Sequence, residues 1–374
     1  MKITLLTDGI YPYVMGGMQK HSFFLAKYFA KVKVNVDVYH YIPIESKTVL
    51  EPFSTEELKY INLIEIPYPK SRSFPGHYLY ERYLYSKEIE SVFMSLKKPD
   101  FIYVKGFAGW SLLKNKNKLK IRTPMGVNFH GYEMFQRWPD FKTGMHLQIL
   151  KLPVLYHMKK ADYLFSYGGK ISELIKLKGF QKKIIEIPTG ISSSWLNTTN
   201  VTNKNLKVKF VFVGRAERRK GIQEINKVIS SLRNLNFEFH FIGPIAEPLK
   251  LNLPRIYYHG AIYNEEEIKV ILDKMDVLVC PSYSEGMPNV IMEGMARGLA
   301  IIATNVGAVS LMVDQENGWL LEGDIVPSLS TAILAALNCR QEELILKKQH
   351  SIDKVRENFT WEKVIQKTIK TLEI

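Results

Sequence analysis

In the first half of the chain the hydrophobic positions fall into short apolar runs separated by longer amphipathic stretches. Runs at 2–7, 34–41, 62–66, 100–104, 125–130, 162–166 and 184–187 predict buried strands. Between them, 17–30 sets Met18, Phe23, Phe24, Leu25, Tyr28 and Phe29 at roughly helical spacing, and 78–97 has a second helical pattern. Such alternation predicts a parallel sheet with helices on both faces. The polar stretch Ser192 to Asn200 breaks the pattern and reads as a linker. Alternation then resumes at 208–213, 237–242, 256–258, 277–280 and 300–303. The last pattern, 359–372, sets Trp361, Val364, Ile365, Ile369 and Leu372 on one helical face, which is expected to pack on the first domain. The fold class is therefore α/β, with two doubly wound domains facing across a cleft. Residues 1–191 form the first domain, joined by a returning helix at 358–374; 192–206 are the linker and 207–357 the second domain. In such an arrangement a ligand is expected between the domains, at the carboxyl ends of the strands.

A length of 374 residues suits two cores. Two cysteines exclude a disulfide framework or a multi-cysteine zinc site, and Cys280, closing the run Val277-Leu278-Val279, reads as a small buried side chain in a reducing setting. The first residues, Met1 to Asp8, are too short an apolar stretch for a signal peptide and are expected to form a buried strand. No stretch approaches the ~18 apolar residues of a membrane span. The expected location is the cytoplasm, with the inner face of a membrane as a second expectation, so the Asn-x-Thr triplets at Asn197, Asn200 and Asn358 carry no glycosylation meaning. The net charge of +14 is unevenly spread: 1–195 holds 29 basic and 16 acidic residues, whereas 201–374 holds 22 and 21. This asymmetry suits a first domain facing phospholipid, nucleic acid or a phosphorylated acceptor; a lysine-rich, solubilised surface gives the same count.

Chemistry concentrates in four segments. Ser284-Glu285-Gly286-Met287-Pro288-Asn289-Val290-Ile291-Met292-Glu293 follows a buried strand and starts a helix near Pro288, whose free N–H groups and dipole suit a diphosphate. Glu285 stays in the loop and Glu293 lies a turn or two into the helix, so both can accept from sugar hydroxyls. Gly214-Arg215-Ala216-Glu217-Arg218-Arg219-Lys220-Gly221 puts Arg215 and Lys220 at another strand-to-helix turn, although a charge cluster alone also fits a solvated turn. Gly16-Gly17 precedes the first helix and permits close backbone approach to a phosphate. His130-Gly131 ends a buried strand and projects into the expected cleft.

Together these segments resemble the retaining glycosyltransferases of the GT-B fold, two Rossmann-like domains, and in particular family 4 (glycosyl transferases group 1). Glu285 and Glu293 match its E-x7-E signature, filled by Gly286, Met287, Pro288, Asn289 and Val290; Arg215 and Lys220 match its G-R-x4-K-G motif. The resemblance implies that Glu285 contacts the donor sugar, Glu293 the nucleotide ribose, Arg215 and Lys220 the diphosphate, and His130 the sugar, while Gly16 and Gly17 form a donor-side loop. Ile262, in Gly260-Ala261-Ile262, matches the position that holds the nucleobase. Thr189 and Ser192 replace the hinge Asn and Asp of the family, so no ligand role passes to them; Arg218 and Arg219 have no match and are expected to face water.

The implied reaction moves a hexose-type sugar from a UDP-, GDP- or ADP-sugar to a hydroxyl of a glycan or lipid-linked glycan precursor in cell-surface polysaccharide or glycolipid synthesis, with retention. No Asp-x-Asp triplet or metal-ligand spacing occurs, so no cofactor or metal is expected, the cations replacing a divalent ion. The basic apolar segment 143–160 could lie in an anionic membrane interface or pack under the first domain, and Pro153 is expected to interrupt a long helix there. Two rivals remain: a GT-B protein with other chemistry (an epimerase, a phosphorylase or an inactive relative), and a nucleic-acid-binding protein. The second is disfavoured because Lys114 to Arg122 contains no aromatic residue.

Overall fold

The computed structural model describes residues 1–43, 51–74, 76–95, 98–197 and 207–372. The expected linker therefore lies outside the described residues from 198 onward, as do the expected helix ends at 96–97 and 373–374. The first sheet contains β1 (Lys2–Leu6), β2 (Asn35–His40), β3 (Ile61–Glu65), β4 (Phe101–Lys105), β5 (Met125–Asn128), β6 (Tyr163–Ser166) and β7 (Ile184–Glu186). All neighbours are parallel, in the order β3-β2-β1-β4-β5-β6-β7. The second contains β8 (Lys209–Val213), β9 (Glu238–Ile242), β10 (Ile256–Tyr258), β11 (Val277–Cys280), β12 (Ala300–Thr304) and β13 (Gly318–Leu321), parallel in the order β10-β9-β8-β11-β12-β13.

Helices of the first domain are α1 (Gly17–Lys31), α2 (Thr55–Leu58), α3 (His77–Phe93), α4 (Trp110–Asn115), α5 (Phe141–Lys160) and α6 (Lys170–Leu177). Those of the second are α7 (Ile222–Ser231), α8 (Glu265–Leu272), α9 (Asn289–Ala296), α10 (Val309–Met312), α11 (Ile325–Asn338) and α12 (Gln341–Asn358), and α13 (Trp361–Leu372) closes the chain. Strands such as β4 and β12 are buried along their whole length because helices cover both faces, which is why they read as continuous apolar runs. Each sheet accordingly has one apolar core on either face.

The returning helix α13 packs on α1: Trp361 stacks near Phe24 (5.8 Å) and Tyr28 (5.9 Å), within the first-domain core. The two chain crossings between domains bind each other, with Ile191 N–H donating to Phe359 (2.8 Å) and Trp361 N–H to Ile191 (3.0 Å). Gly190 permits this contact, since a Cβ there would meet the Trp361 ring at 2.8 Å.

Pro153 does not interrupt a helix: α5 runs unbroken for 20 residues through it. The carbonyl of Ile149, which loses its donor, sits on the helix face where Ile149 and Leu152 are exposed, so water can replace the missing bond. Among the described residues no helix is long and apolar enough to cross a membrane.

Candidate active site

The carboxyl ends of β1, β5, β8 and β11 face each other across the domain boundary and enclose a cavity of about 490 Å³. Gly17, His130, Arg215, Lys220, Glu285, Gly286, Met287, Pro288, Asn289 and Val290 all line it. Glu293 lines a smaller adjoining cavity with Asn289 and Lys20. Gly16 caps the N-terminus of α1 just outside the wall, and Ile262 packs against the second-domain core without lining either space.

The central contact joins two motifs that lie 65 residues apart: Lys220 Nζ donates to Glu285 Oε1 at 2.6 Å. Both side chains are largely buried. Burial alone would raise the Glu285 carboxyl, but Lys220 and then Arg219 outweigh it and hold it below the ordinary range. Glu285 is thus an ionised acceptor. Its loop is fixed from the first domain by Gln136, whose amide donates to the Glu285 carbonyl (2.6 Å) and accepts from the Glu285 N–H (3.3 Å). Beside it, Gly131 and Gly286 pass so closely that a Cβ on Gly286 would lie 3.1 Å from the Gly131 nitrogen.

Arg218 and Arg219 are not free in water: their side chains are only 28% and 23% exposed, and both are paired. Residues Arg218–Lys220 form one 3₁₀ turn, which splays three successive side chains in three directions. Arg218 turns inward and binds the buried Glu224 carboxylate with both terminal nitrogens (2.9 and 2.8 Å). Arg219 reaches Glu217 (2.8 Å), Glu285 (3.6 Å) and Glu133 (3.7 Å), and Lys220 takes Glu285. Arg215, by contrast, is 74% exposed and paired with Glu217 at 2.7 Å. Burial raises the Glu133 carboxyl more than Arg219 lowers it, with Glu285 adding to the rise.

His130 sits in the left-handed backbone region at φ 58°, as does Tyr132 at φ 50°, a strained pair for side chains of this size. The strain persists because the residue is held on three sides: its N–H donates to Asn128 Oδ1 (2.7 Å), Nδ1 pairs with the Tyr167 hydroxyl (2.5 Å), and its ring abuts His21 (5.4 Å). Nε2 is buried and has no hydrogen-bond partner among the described residues. Beneath lies Lys105, fully buried, its Nζ 2.9 Å from His21 Nδ1. Burial lowers all three of these bases, and Lys105 further depresses His21 and His130, so the imidazoles are neutral near pH 7.

At the smaller adjoining cavity, Lys20 of α1 crosses the cleft to Glu265 (2.8 Å) and Glu293 (3.8 Å). Burial raises the Glu293 carboxyl, with Lys20 opposing and Glu265 adding to the shift. Gly17 faces open space, with nothing within 4 Å of a Cβ built on it, so the room beside the start of α1 is available to a ligand. The N-terminus of α9 follows Pro288 and opens onto the same cavity. Among the described residues no group of three or more His, Cys, Asp or Glu side chains is placed to hold a metal ion.

Several of these groups have no distinctive sequence signal. Lys20, Glu133, Gln136, Tyr167 and Lys105 are single residues whose roles come from what the fold brings against them. Glu133 alone could have been suspected, three positions after His130.

Residues 207–339 match the family described as glycosyl transferases group 1. An uncharacterised glycosyltransferase of Methanocaldococcus jannaschii is 27% identical over 393 aligned residues, covering 100% of this chain and 98% of its own. A Bacillus subtilis glycosyltransferase ascribed to teichuronic acid biosynthesis is 29% identical over 46% of each chain. Among solved structures, sucrose-phosphate synthase from Thermosynechococcus elongatus superposes with a TM-score of 0.77 at 16% identity, covering 100% of this chain and 98% of that one. Anabaena HepE in complex with UDP-glucose gives 0.69 at 15%, covering 100% and 99%. The architecture agrees with these neighbours and the sequence with these relatives: the chain is a glycosyltransferase of the GT-B type.

Proposed function

We propose that the protein is a retaining, metal-independent transferase that moves a hexose-type sugar from a nucleotide-sugar to a hydroxyl of a glycan or lipid-linked glycan precursor, in the synthesis of a cell-surface polysaccharide. The observation that carries this reading is the convergence of Lys220, Glu285, His130 and the α9 N-terminus on one cavity. A sugar diphosphate fits that cavity by chemistry. Lys220, Arg215 and the α9 N–H groups face the diphosphate and stabilise the charge gained by the departing nucleotide. Glu285 accepts from the sugar hydroxyls, and the unpartnered Nε2 of His130 contacts the sugar. Glu293 takes the ribose, displacing Lys20. Front-face attack, in which the leaving phosphate receives the acceptor proton, needs no protein nucleophile. Support for the donor class comes from the UDP-glucose bound to HepE, and for the pathway class from the relative ascribed to teichuronic acid biosynthesis. Incubation with UDP-, GDP- and ADP-sugars, read by nucleotide release and thermal shift, tests it; stabilisation by none of the free nucleotides removes the reading.

The acceptor side is read from α5. Phe141, Met145, Ile149 and Leu152 are exposed along one stripe of this helix, spaced by three or four residues. Lys142, Lys159 and Lys160 stand exposed on the same helix. An apolar stripe edged by lysines suits the surface of an anionic bilayer, with roughly 1 kcal/mol gained per basic residue near the lipid. Flotation with phosphatidylglycerol vesicles at low and high salt checks this; absence from the vesicle fraction at low salt refutes it.

A further inference from the structure

The first domain has a second concave surface, outside the cleft. Leu79, Tyr80 and Tyr83 of α3, Trp110 and Lys114 of α4 and Tyr156 of α5 line an open groove of about 480 Å³. Its walls are mostly aromatic. The Tyr83 and Trp110 rings meet edge to face at 5.6 Å, and Trp110 is backed by Phe107 (5.4 Å) and His157 (5.1 Å), so its plane is fixed. Lys114 Nζ lies 5.1 Å above the Tyr83 ring and donates to its hydroxyl at 3.1 Å. Tyr80 is 48% exposed. None of these residues takes part in the active site described above.

The groove is nevertheless linked towards that site through one helix. Arg82, between Tyr80 and Tyr83 on α3, turns the other way and pairs with Asp8, which also accepts from Gln19 beside the Gly16-Gly17 loop (3.0 Å). One wall of the groove is therefore the back of a helix that is tied through Asp8 to the start of α1. Tyr156 continues the α5 stripe one turn beyond Leu152, so the groove also begins where the apolar stripe ends.

The two surfaces differ in chemistry. The stripe offers Phe141, Met145, Ile149 and Leu152, none of which has a hydrogen-bonding group. The groove offers ring faces edged by tyrosine hydroxyls, an indole and an ammonium group, an amphipathic wall. A pyranose has the complementary division, with C–H groups on its faces and hydroxyls around its edge. A hydrocarbon chain would leave those donors unpaired.

We propose that this groove is a distal glycan subsite, holding sugar units of the acceptor chain away from the hydroxyl that is glycosylated. This rests on the reading of a glycan acceptor given above. Holding the chain there raises the effective concentration of its end in the cleft without any new contact at the reacting atoms.

Saturation-transfer NMR of the full chain with maltohexaose, cellohexaose, chitohexaose and hexagalacturonate, with and without saturating nucleotide, tests the subsite. The expected result is binding of at least one hexasaccharide that persists when nucleotide fills the cleft, falls by about fivefold or more in Tyr80→Ala and in Tyr156→Ala, and is retained in Tyr80→Phe. Nucleotide affinity should be unchanged in all three variants, which also shows that they fold. Binding of none of the four, or equal binding by wild type and Tyr80→Ala, overturns the proposal. Loss of vesicle flotation in Tyr80→Ala without any effect on hexasaccharides also overturns it, assigning the groove to lipid. If wild type binds no nucleotide, the donor reading fails instead, whichever way the groove behaves.

Discussion

Replacing Lys220 with Met keeps most of the side-chain volume and removes one charge from the centre of the site. Two effects follow, and the structure sets their sizes. First, Glu285 loses the cation 2.6 Å away and keeps Arg219 at 3.6 Å and a hydrogen bond from Ser282. Stranding a buried charge costs about 3–5 kcal/mol when nothing remains to pair it; with Arg219 in place the lower end, about 3 kcal/mol, is expected. For a domain of this size that corresponds to a fall in Tm of roughly 6–12 °C. The loss should depend on pH in a definite direction. Lys220 and Arg219 depress the Glu285 carboxyl in the folded protein, so its contribution is present above the unfolded carboxyl range and disappears as pH falls through the folded value. Wild type and Lys220→Met should therefore differ most near neutrality and converge in acid. Second, the donor diphosphate loses a charge-assisted hydrogen bond, worth about 1.5–3 kcal/mol, or roughly 10–150-fold in Kd. Part of that gain is already taken up in wild type by the bond to Glu285, so the penalty should be smaller in wild type than in a Glu285→Gln background, where Lys220 is unpaired. Thermal unfolding across pH measures the first effect, and titration calorimetry on the four proteins of this cycle, using whichever of UDP, GDP or ADP binds, measures the second. A Kd for Lys220→Met within twofold of wild type would refute the placement of Lys220 on the diphosphate.

Glu133 is raised by burial and by Glu285, so it takes up a proton more readily than an ordinary carboxylate; nucleotide affinity should therefore improve as pH falls from neutrality towards its range, and Glu133→Gln should flatten that profile while tightening nucleotide binding about tenfold. Glu293 is likewise raised by burial, so its ionisation opposes folding, and stability should decline as pH rises through its folded value. Glu293→Gln should raise the Tm of the free protein at pH 7 yet weaken nucleotide binding about tenfold by removing a charged acceptor; thermal shift with and without nucleotide reads both. Gly286→Ala forces a Cβ to 3.1 Å from the Gly131 nitrogen and the His130 carbonyl carbon, so the domains must part by a few tenths of an ångström; turnover should fall about a hundredfold with nucleotide affinity little changed, measured by sugar transfer or donor hydrolysis.

The strands were readable because buried parallel strands are apolar throughout: β4, β8, β11 and β12 stand out without knowledge of their partners. β13 was not, since Gly318-Trp319-Leu320-Leu321 is four residues long and only half buried. The four chemical segments were readable because glycines, cations and carboxylates at strand-to-helix turns have few structural reasons to coincide. What the segments could not reveal was pairing. Lys220 and Glu285 could both be assigned to a donor, yet nothing in their spacing shows that they bind each other in the free protein. Arg218 and Arg219 were misjudged for a related reason: hydropathy places a run of three cations in water, whereas a 3₁₀ turn sends them to three different carboxylates. Pro153 illustrates the converse case, in which a local rule yields because solvent can satisfy the orphaned carbonyl.

That pairing bears on how the site can exist at all before its ligand arrives. Arg215, Arg219 and Lys220 together would repel one another in an empty cleft, and Glu217, Glu133 and Glu285 offset them one for one. Lys20 performs the same service in reverse for Glu293, whose burial would otherwise be uncompensated. The free protein thus pairs each of these charged groups with another: Arg215 within its own loop, and Arg219, Lys220 and Glu293 with groups from a different loop or the opposite domain. A sugar diphosphate would have to displace these pairs rather than enter an empty field. On the proposed function, specificity then comes from what the displaced partners do next: Glu285, released from Lys220, is already ionised and its loop is already held by Gln136, so the same exchange that lets the diphosphate in would leave a carboxylate ready for the sugar.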